Sequence, residues 1–120
     1  MALEITTREL RENLPLVEPV GEIEVYTAPD VKAELARIMD QGQFRLAISL
    51  DKVTFIDSRG IGVLVEATKR ARENGGDLAV ICTNQRFLRH IGILKLDEFL
   101  SIVSDEQAAA QRLAGSREEG

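Results

Sequence analysis

Val53-Thr54-Phe55-Ile56-Asp57-Ser58-Arg59-Gly60 joins a short apolar segment to a long amphipathic helix pattern, Ile61 to Glu73. The run predicts a strand that passes directly into a helix, the unit from which α/β domains are assembled. Such a junction sets the Ser58 hydroxyl at the positive end of a helix dipole. Free backbone N–H groups and the dipole both favour an anion there. Two roles follow for Ser58, a phosphate acceptor or a helix cap, since serine in a first turn commonly caps without being modified.

On the N-terminal side, Phe44 to Leu50 is nearly continuous in apolarity, as in a strand covered on both faces. Before it, Val31, Leu35, Ile38 and Met39 recur at helical spacing. Thr27 is the expected N-cap of that helix, with Pro29 in its first turn, Asp30 completing a capping box, and Gly42 as the stop. Glu22 to Tyr26 alternates in polarity and reads as a half-buried strand. Glu4 to Thr7 and Pro15 to Glu18 read as short strands flanking a turn at 11–13, and Pro19 suggests an edge or a bulge.

On the C-terminal side, Asn74-Gly75-Gly76 ends the long helix and Leu78 to Cys82 is a buried strand. Gln85 to Ile91 reads as a helix with Phe87, Leu88 and Ile91 inward. Ser101 to Val103 is a last short strand, and Ser104 or Asp105 caps a final helix through Leu113. The order predicts one α/β domain over residues 1–114, a central mixed sheet of about four to five strands with about four helices, and a disordered tail at 115–120.

The chain has 120 residues, 15 basic and 20 acidic side chains and a formal charge of −5. An acidic balance without a Lys/Arg run argues against direct nucleic-acid binding. The start is not a signal peptide, and no apolar run approaches the roughly 20 residues that span a bilayer. A cytoplasmic protein without membrane contact is expected.

Catalytic constellations are missing from the sequence. The single histidine, His90, falls in an amphipathic helix, and the single cysteine, Cys82, in a buried strand. There is no nucleophile elbow, phosphate loop or complete dinucleotide fingerprint. One Cys and one His do not make a zinc site, and Asp51 with Asp57 lacks a third oxygen ligand. No enzyme, metal or cofactor is expected.

Val53 to Leu64 resembles the central motif of the STAS domain (sulfate transporter and anti-sigma factor antagonist). Gly21 to Pro29 is similar to that family's first signature, and Leu88 to Leu100 and Ile102 to Ala108 to its closing elements. The resemblance spans nearly the whole chain and implies a stand-alone bacterial regulator. Such a protein binds an anti-sigma factor when unphosphorylated and so frees a sigma factor. The anti-sigma factor doubles as a serine kinase, and a phosphatase reverses the modification. Carried onto this sequence, the acceptor is Ser58, with Asp57, Arg59, Gly60, Glu24 and Thr27 around it. ATP and magnesium belong to the kinase. The same fold also implies an alternative, a scaffold subunit of a larger signalling or lipid-transport assembly with Ser58 unmodified. Three positions depart from the family pattern: Glu24 replaces an aspartate, Lys95 a glycine, and Arg59 a small residue.

The helical wheel places Ile61, Leu64, Val65 and Thr68 inward. It leaves Arg59, Gly62, Val63, Glu66 and Arg70 as an outward stripe, with Val63 an exposed apolar spot for a partner.

Overall fold

The computed structural model describes residues 3–118. Its strands are β1 Glu4–Arg11, β2 Leu14–Ile23, β3 Arg45–Ser49, β4 Val53–Ile56, β5 Asp77–Ile81 and β6 Ser101–Val103. The helices are α1 Ala28–Asp40, α2 Ser58–Glu73, α3 Gln85–Ile93 and α4 Glu106–Glu118. This is the expected α/β domain with a mixed sheet and four helices. The sheet order is β1-β2-β3-β5-β6, and β4 adds a sixth strand by pairing with β2. Only the β1–β2 hairpin is antiparallel.

Strand β2 organises the sheet. Leu16 and Val17 pair with Ala47 and Ile48 of β3. Gly21, Glu22 and Ile23 pair with Val53, Phe55 and Ile56 of β4. Strand β1 pairs with β2 from Leu14 to Val20, and the two parallel ladders take Leu16 to Val17 and Gly21 to Ile23. Pro19, where an edge or a bulge was expected, pairs with Ile5 of β1 and falls in the interval between the two parallel ladders, and the register of β2 with β4 shifts just beyond it, between Gly21 and Glu22. The expected strand at Glu22–Tyr26 ends at Ile23, and residues 24–26 turn into α1. The alternation there belongs to a turn whose outward residues, Val25 and Tyr26, meet solvent.

Period-two alternation splits the core into two layers. Val17, Leu46, Ile48, Leu78 and Val80 face α1, α2 and α3. Leu14, Leu16, Ala47, Ala79 and Ile81 face α4 and meet Ala109, Ala110 and Leu113. Small side chains on both sides of that second layer bring α4 close to the sheet. The Asp105 carboxylate caps α4 by accepting the Ala108 N–H at 2.8 Å. The helix runs past Leu113, where it was expected to end, and the last two residues of the expected tail lie outside the described residues.

Three helices end in one backbone device, a left-handed residue whose own N–H and that of its successor return to the last turn. After α1 it is Gly42, at φ 87°, with Gln43 N–H donating to the Ile38 carbonyl. After α2 it is Gly75, at φ 84°, with Gly76 N–H donating to the Ala71 carbonyl. After α3 it is Lys95, at φ 60°, with Leu96 N–H donating to the Ile91 carbonyl at 3.0 Å. The departure at Lys95 therefore leaves the helix end formed and puts a side chain where glycine fits best.

Lys95→Gly should raise unfolding free energy by about 0.5–1 kcal/mol, the left-handed penalty less the extra chain entropy of glycine. A urea titration checks this through a higher midpoint at unchanged slope. An unchanged or lower midpoint contradicts it.

Candidate functional site

Strand β4 delivers the chain to the start of α2. There Asp57 is extended, at φ −101° and ψ −173°, and its side chain turns back onto the helix. Asp57 Oδ1 accepts the N–H groups of Arg59 at 2.9 Å and Gly60 at 3.1 Å. The Asp57 carbonyl accepts the Ile61 N–H at 3.0 Å, and the Asp57 N–H donates to the Ile23 carbonyl at 3.1 Å. Asp57 is thus the N-cap and Ser58 the first helical residue. Ser58 is exposed, and its hydroxyl makes no hydrogen bond to a described residue. The capping need is met without it.

The bond from Asp57 to Ile23 sets the turn at residues 24–27 beside Ser58. Glu24 Oε1 accepts the N–H groups of Tyr26 at 2.9 Å and Thr27 at 3.0 Å. Thr27 is buried; its hydroxyl donates to the Glu22 carbonyl at 2.7 Å and accepts the Glu24 N–H at 2.9 Å. Thr27 does occupy the N-cap position of α1, yet its side chain makes no capping bond. The expected capping box is absent because the hydroxyl faces back into the turn. Glu24, longer than the family's aspartate, serves its own turn. Tyr26, 84% exposed, stands on this braced turn, and Phe55 of β4 is 48% exposed. Neither was singled out from sequence. The signal available was an aromatic immediately after the strand end for Tyr26; the place of Phe55 opposite the outward Glu22 is given by the structure alone.

Along α2 the expected residues separate. Arg59 is exposed and enters no ion pair with a described residue. Gly60 is buried, and a Cβ there would lie 2.6 Å from Ile56 Cγ1 and 2.7 Å from Ile23 Cγ2. Glycine lets the helix start lie directly on the ends of β2 and β4. Gly62 does face outward, and a Cβ there would meet nothing within 4 Å.

Val63 is the correction: expected in the open, it is 9% exposed. The wheel had assigned α2 a single covered side, the sheet, whereas α1 packs along a second side and takes in Val63 and Ala67. Glu66 and Arg70 do point outward, but both reach across to α1. Glu66 Oε1 lies 3.7 Å from Lys32 Nζ, and Arg70 Nη2 lies 2.7 Å from Asp40 Oδ1. Between the two helices runs a groove floored by Leu35, Met39, Val63 and Ala67, which sequence periodicity did not reveal.

The groups considered for other chemistry lie apart from this junction. Cys82 is buried at the end of β5, and burial pushes its thiol above the usual range. His90 is half-buried on α3. Among the described residues no three His, Cys, Asp or Glu side chains gather as a metal site. No helix among them is long and apolar enough to cross a membrane.

Gly60→Ala should cost about 1–3 kcal/mol of stability through overpacking. Gly62→Ala should be neutral or stabilising by up to about 1 kcal/mol through helix propensity. Paired thermal melts check the contrast, and equal effects would contradict the packing assignment.

The STAS domain family matches residues 6–109 of the chain. The chain is 33% identical over 100 residues to the anti-sigma-B factor antagonist of Bacillus subtilis (strain 168), covering 83% of this chain and 91% of that protein. It is 35% identical over 86 residues to the anti-sigma-B factor antagonist of Listeria monocytogenes, covering 72% and 75%. Its fold is similar to that of an anti-sigma factor antagonist from Mycobacterium paratuberculosis, with a TM-score of 0.85 at 18% identity over 94% and 95% of the two chains. It is also similar to the Bacillus cell fate determinant SpoIIAA in its phosphorylated form, with a TM-score of 0.70 at 13% identity over 90% and 98%.

Proposed function

The chain belongs to the STAS-domain family, and on that premise we propose that it is an anti-sigma factor antagonist switched by phosphorylation of Ser58. The observation that carries this reading is the Ser58 hydroxyl itself, exposed at the first position of a 16-residue helix already capped by Asp57. A hydroxyl with no structural duty can be modified without loss of the fold. The relatives that share a third of the sequence are named anti-sigma-B factor antagonists, and SpoIIAA is known in a phosphorylated form.

In this reading the unmodified protein binds an anti-sigma factor and frees a sigma factor. The anti-sigma factor, acting as a serine kinase with its own ATP and magnesium, transfers the γ-phosphoryl group to Ser58 Oγ. The Oγ–P bond forms, the bond from Pγ to the β-phosphate oxygen breaks, ADP leaves and the hydroxyl proton passes to a base of the kinase. A phosphatase restores the hydroxyl. The protein contributes an acceptor and a surface, with no catalytic step of its own and no nucleic-acid contact.

Phosphate adds about −1.5 to −2 charges at neutral pH. The N–H groups of Arg59 and Gly60 are already held by Asp57, so the new oxygens find a carboxylate beside them. The Arg59 guanidinium, which pairs with no described residue, and the helix dipole offset part of that repulsion. The folded chain therefore tolerates the phosphate in water. A partner packed over Ser58 and Gly62 has to desolvate a dianion, and its affinity falls.

Incubation with the cognate kinase and ATP should place phosphate on Ser58 by mass spectrometry, and none on a Ser58→Ala variant. Ser58→Asp should weaken the anti-sigma factor by about tenfold or more, roughly 1.4 kcal/mol, with little change in melting temperature. Phosphate solely at other residues, or unfolding of Ser58→Asp, would overturn the reading.

A further inference from the structure

Strand β1 forms one margin of the sheet and, among the described residues, pairs with β2 alone, so its outer backbone is open along an eight-residue strand. The other open strands are short, four residues in β4 and three in β6. A long open edge is a template for a further strand. Natural edges are commonly blocked by proline, lysine or a bulge. Glu4 to Glu9 holds no proline or lysine, and the register of β1 with β2 shifts only beyond Glu9. The centre of the edge is Ile5-Thr6-Thr7, three β-branched residues that favour a strand. The helix layers are centred inward of it, with α1 packed on β2 and α4 chiefly on β5. We propose that this edge pairs antiparallel with β1 of a second copy, with Thr6 on the twofold axis. Such a dimer is independent of the antagonist reading, because no β1 residue belongs to the Ser58 junction.

Charge selects both the occupant and the register. Residues that face each other across an antiparallel pair lie on one face of the sheet. In β1 the two faces are distinct: Thr7 bonds to Glu34 of α1, and Arg8 to Glu106 of α4. A twofold axis must therefore pass through a residue, with facing residues equally spaced on either side of it. An axis at Glu4, Arg8 or Glu9 sets like charges against each other. One at Thr7 sets the Glu9 carboxylate against Ile5, and one at Ile5 sets Glu4 against Thr6. An axis at Thr6 sets Glu4 against Arg8 twice on the α4 face, and Ile5 against Thr7 twice on the α1 face. Opposite charges facing each other stabilise such a ladder, and like charges destabilise it. The acid and the base of this one strand thus complement a second copy of the strand itself.

Arg8 has donors to spare for this pairing. Glu18 and Glu106 hold its Nε and Nη2 from within the chain, while its Nη1 donates to no described residue. Glu4 is exposed and enters no ion pair with a described residue. The formal charge of −5 on each copy opposes association. At physiological ionic strength that field is screened within about 8 Å, so a weak, concentration-dependent dimer is expected.

Sedimentation velocity of the whole protein from about 10 to about 500 μM should show monomer passing to dimer. Glu4→Lys turns both charge pairs into repulsions and should weaken the dimer about tenfold or more, with an unchanged melting temperature showing that the fold is kept. Facing Cα atoms in an antiparallel pair are about 4.5–5.5 Å apart, within disulfide range. Thr6 is exposed, and Thr6→Cys should crosslink into a dimer under mild oxidation. Glu9, exposed on the same strand, faces Leu3 in this register, so Glu9→Cys should stay uncrosslinked; the native Cys82 is buried. A wild type that remains monomeric at the highest concentration overturns the inference and leaves the edge to a strand of another protein. So does a dimer that Glu4→Lys fails to weaken, or one in which Glu9→Cys crosslinks as fast as Thr6→Cys.

Discussion

The Asp57 carboxylate sets the terms for everything around it. It closes the start of α2 by accepting two N–H groups, while its own N–H ties β4 to the end of β2. One residue thereby settles the helix start, the approach of the Glu24 turn, and the freedom of the Ser58 hydroxyl. Were Ser58 the cap, modification would break the helix start and the switch would be a folding event. With Asp57 as the cap, the hydroxyl is spare, and in the proposed switch a charge added there is felt at the surface.

The other end of α2 is held as firmly. Arg72 donates to Asp77 Oδ1 at 3.0 Å, to the Phe99 carbonyl at 2.7 Å and to Ser101 Oγ at 3.0 Å, and lies over the Phe99 ring. Ser101 in turn donates to the buried Asp77 carboxylate at 2.6 Å. This network joins α2 to β5 and β6, and satisfies a carboxylate that burial would otherwise penalise. A helix fixed at both ends presents Arg59 and Gly62 in constant geometry, which favours binding because little order has to be gained on contact.

Much of this was legible in the sequence because it rests on local rules. Apolar runs gave β3, β4 and β5, and glycine or a cap residue marked the helix ends near Gly42, Asn74 and Asp105. The misreadings share a cause: they depend on what lies beside an element in space. Val63 was read against one neighbour and has two. Pro19 signalled an edge or a bulge, but no one-dimensional pattern says that β2 changes partner beside it. Thr27 held the right position but spent its hydroxyl on Glu22, a choice set by how tightly the turn closes. Lys95 shows the converse, since the helix-ending geometry persists without the residue type that usually announces it.

Among the described residues strand β4 pairs with β2 alone, so its outer backbone is open beside an exposed Phe55. An unpaired edge with an aromatic on its surface is a template on which other chains can stack. Here the template is four residues long and is bracketed by Lys52 and Asp57. Charge at both ends and so short a run leave few hydrogen bonds for a misplaced strand to gain. The same aspartate that frees the serine thus also sets a charge at the end of this short edge, a device by which natural sheets blunt edge-to-edge pairing.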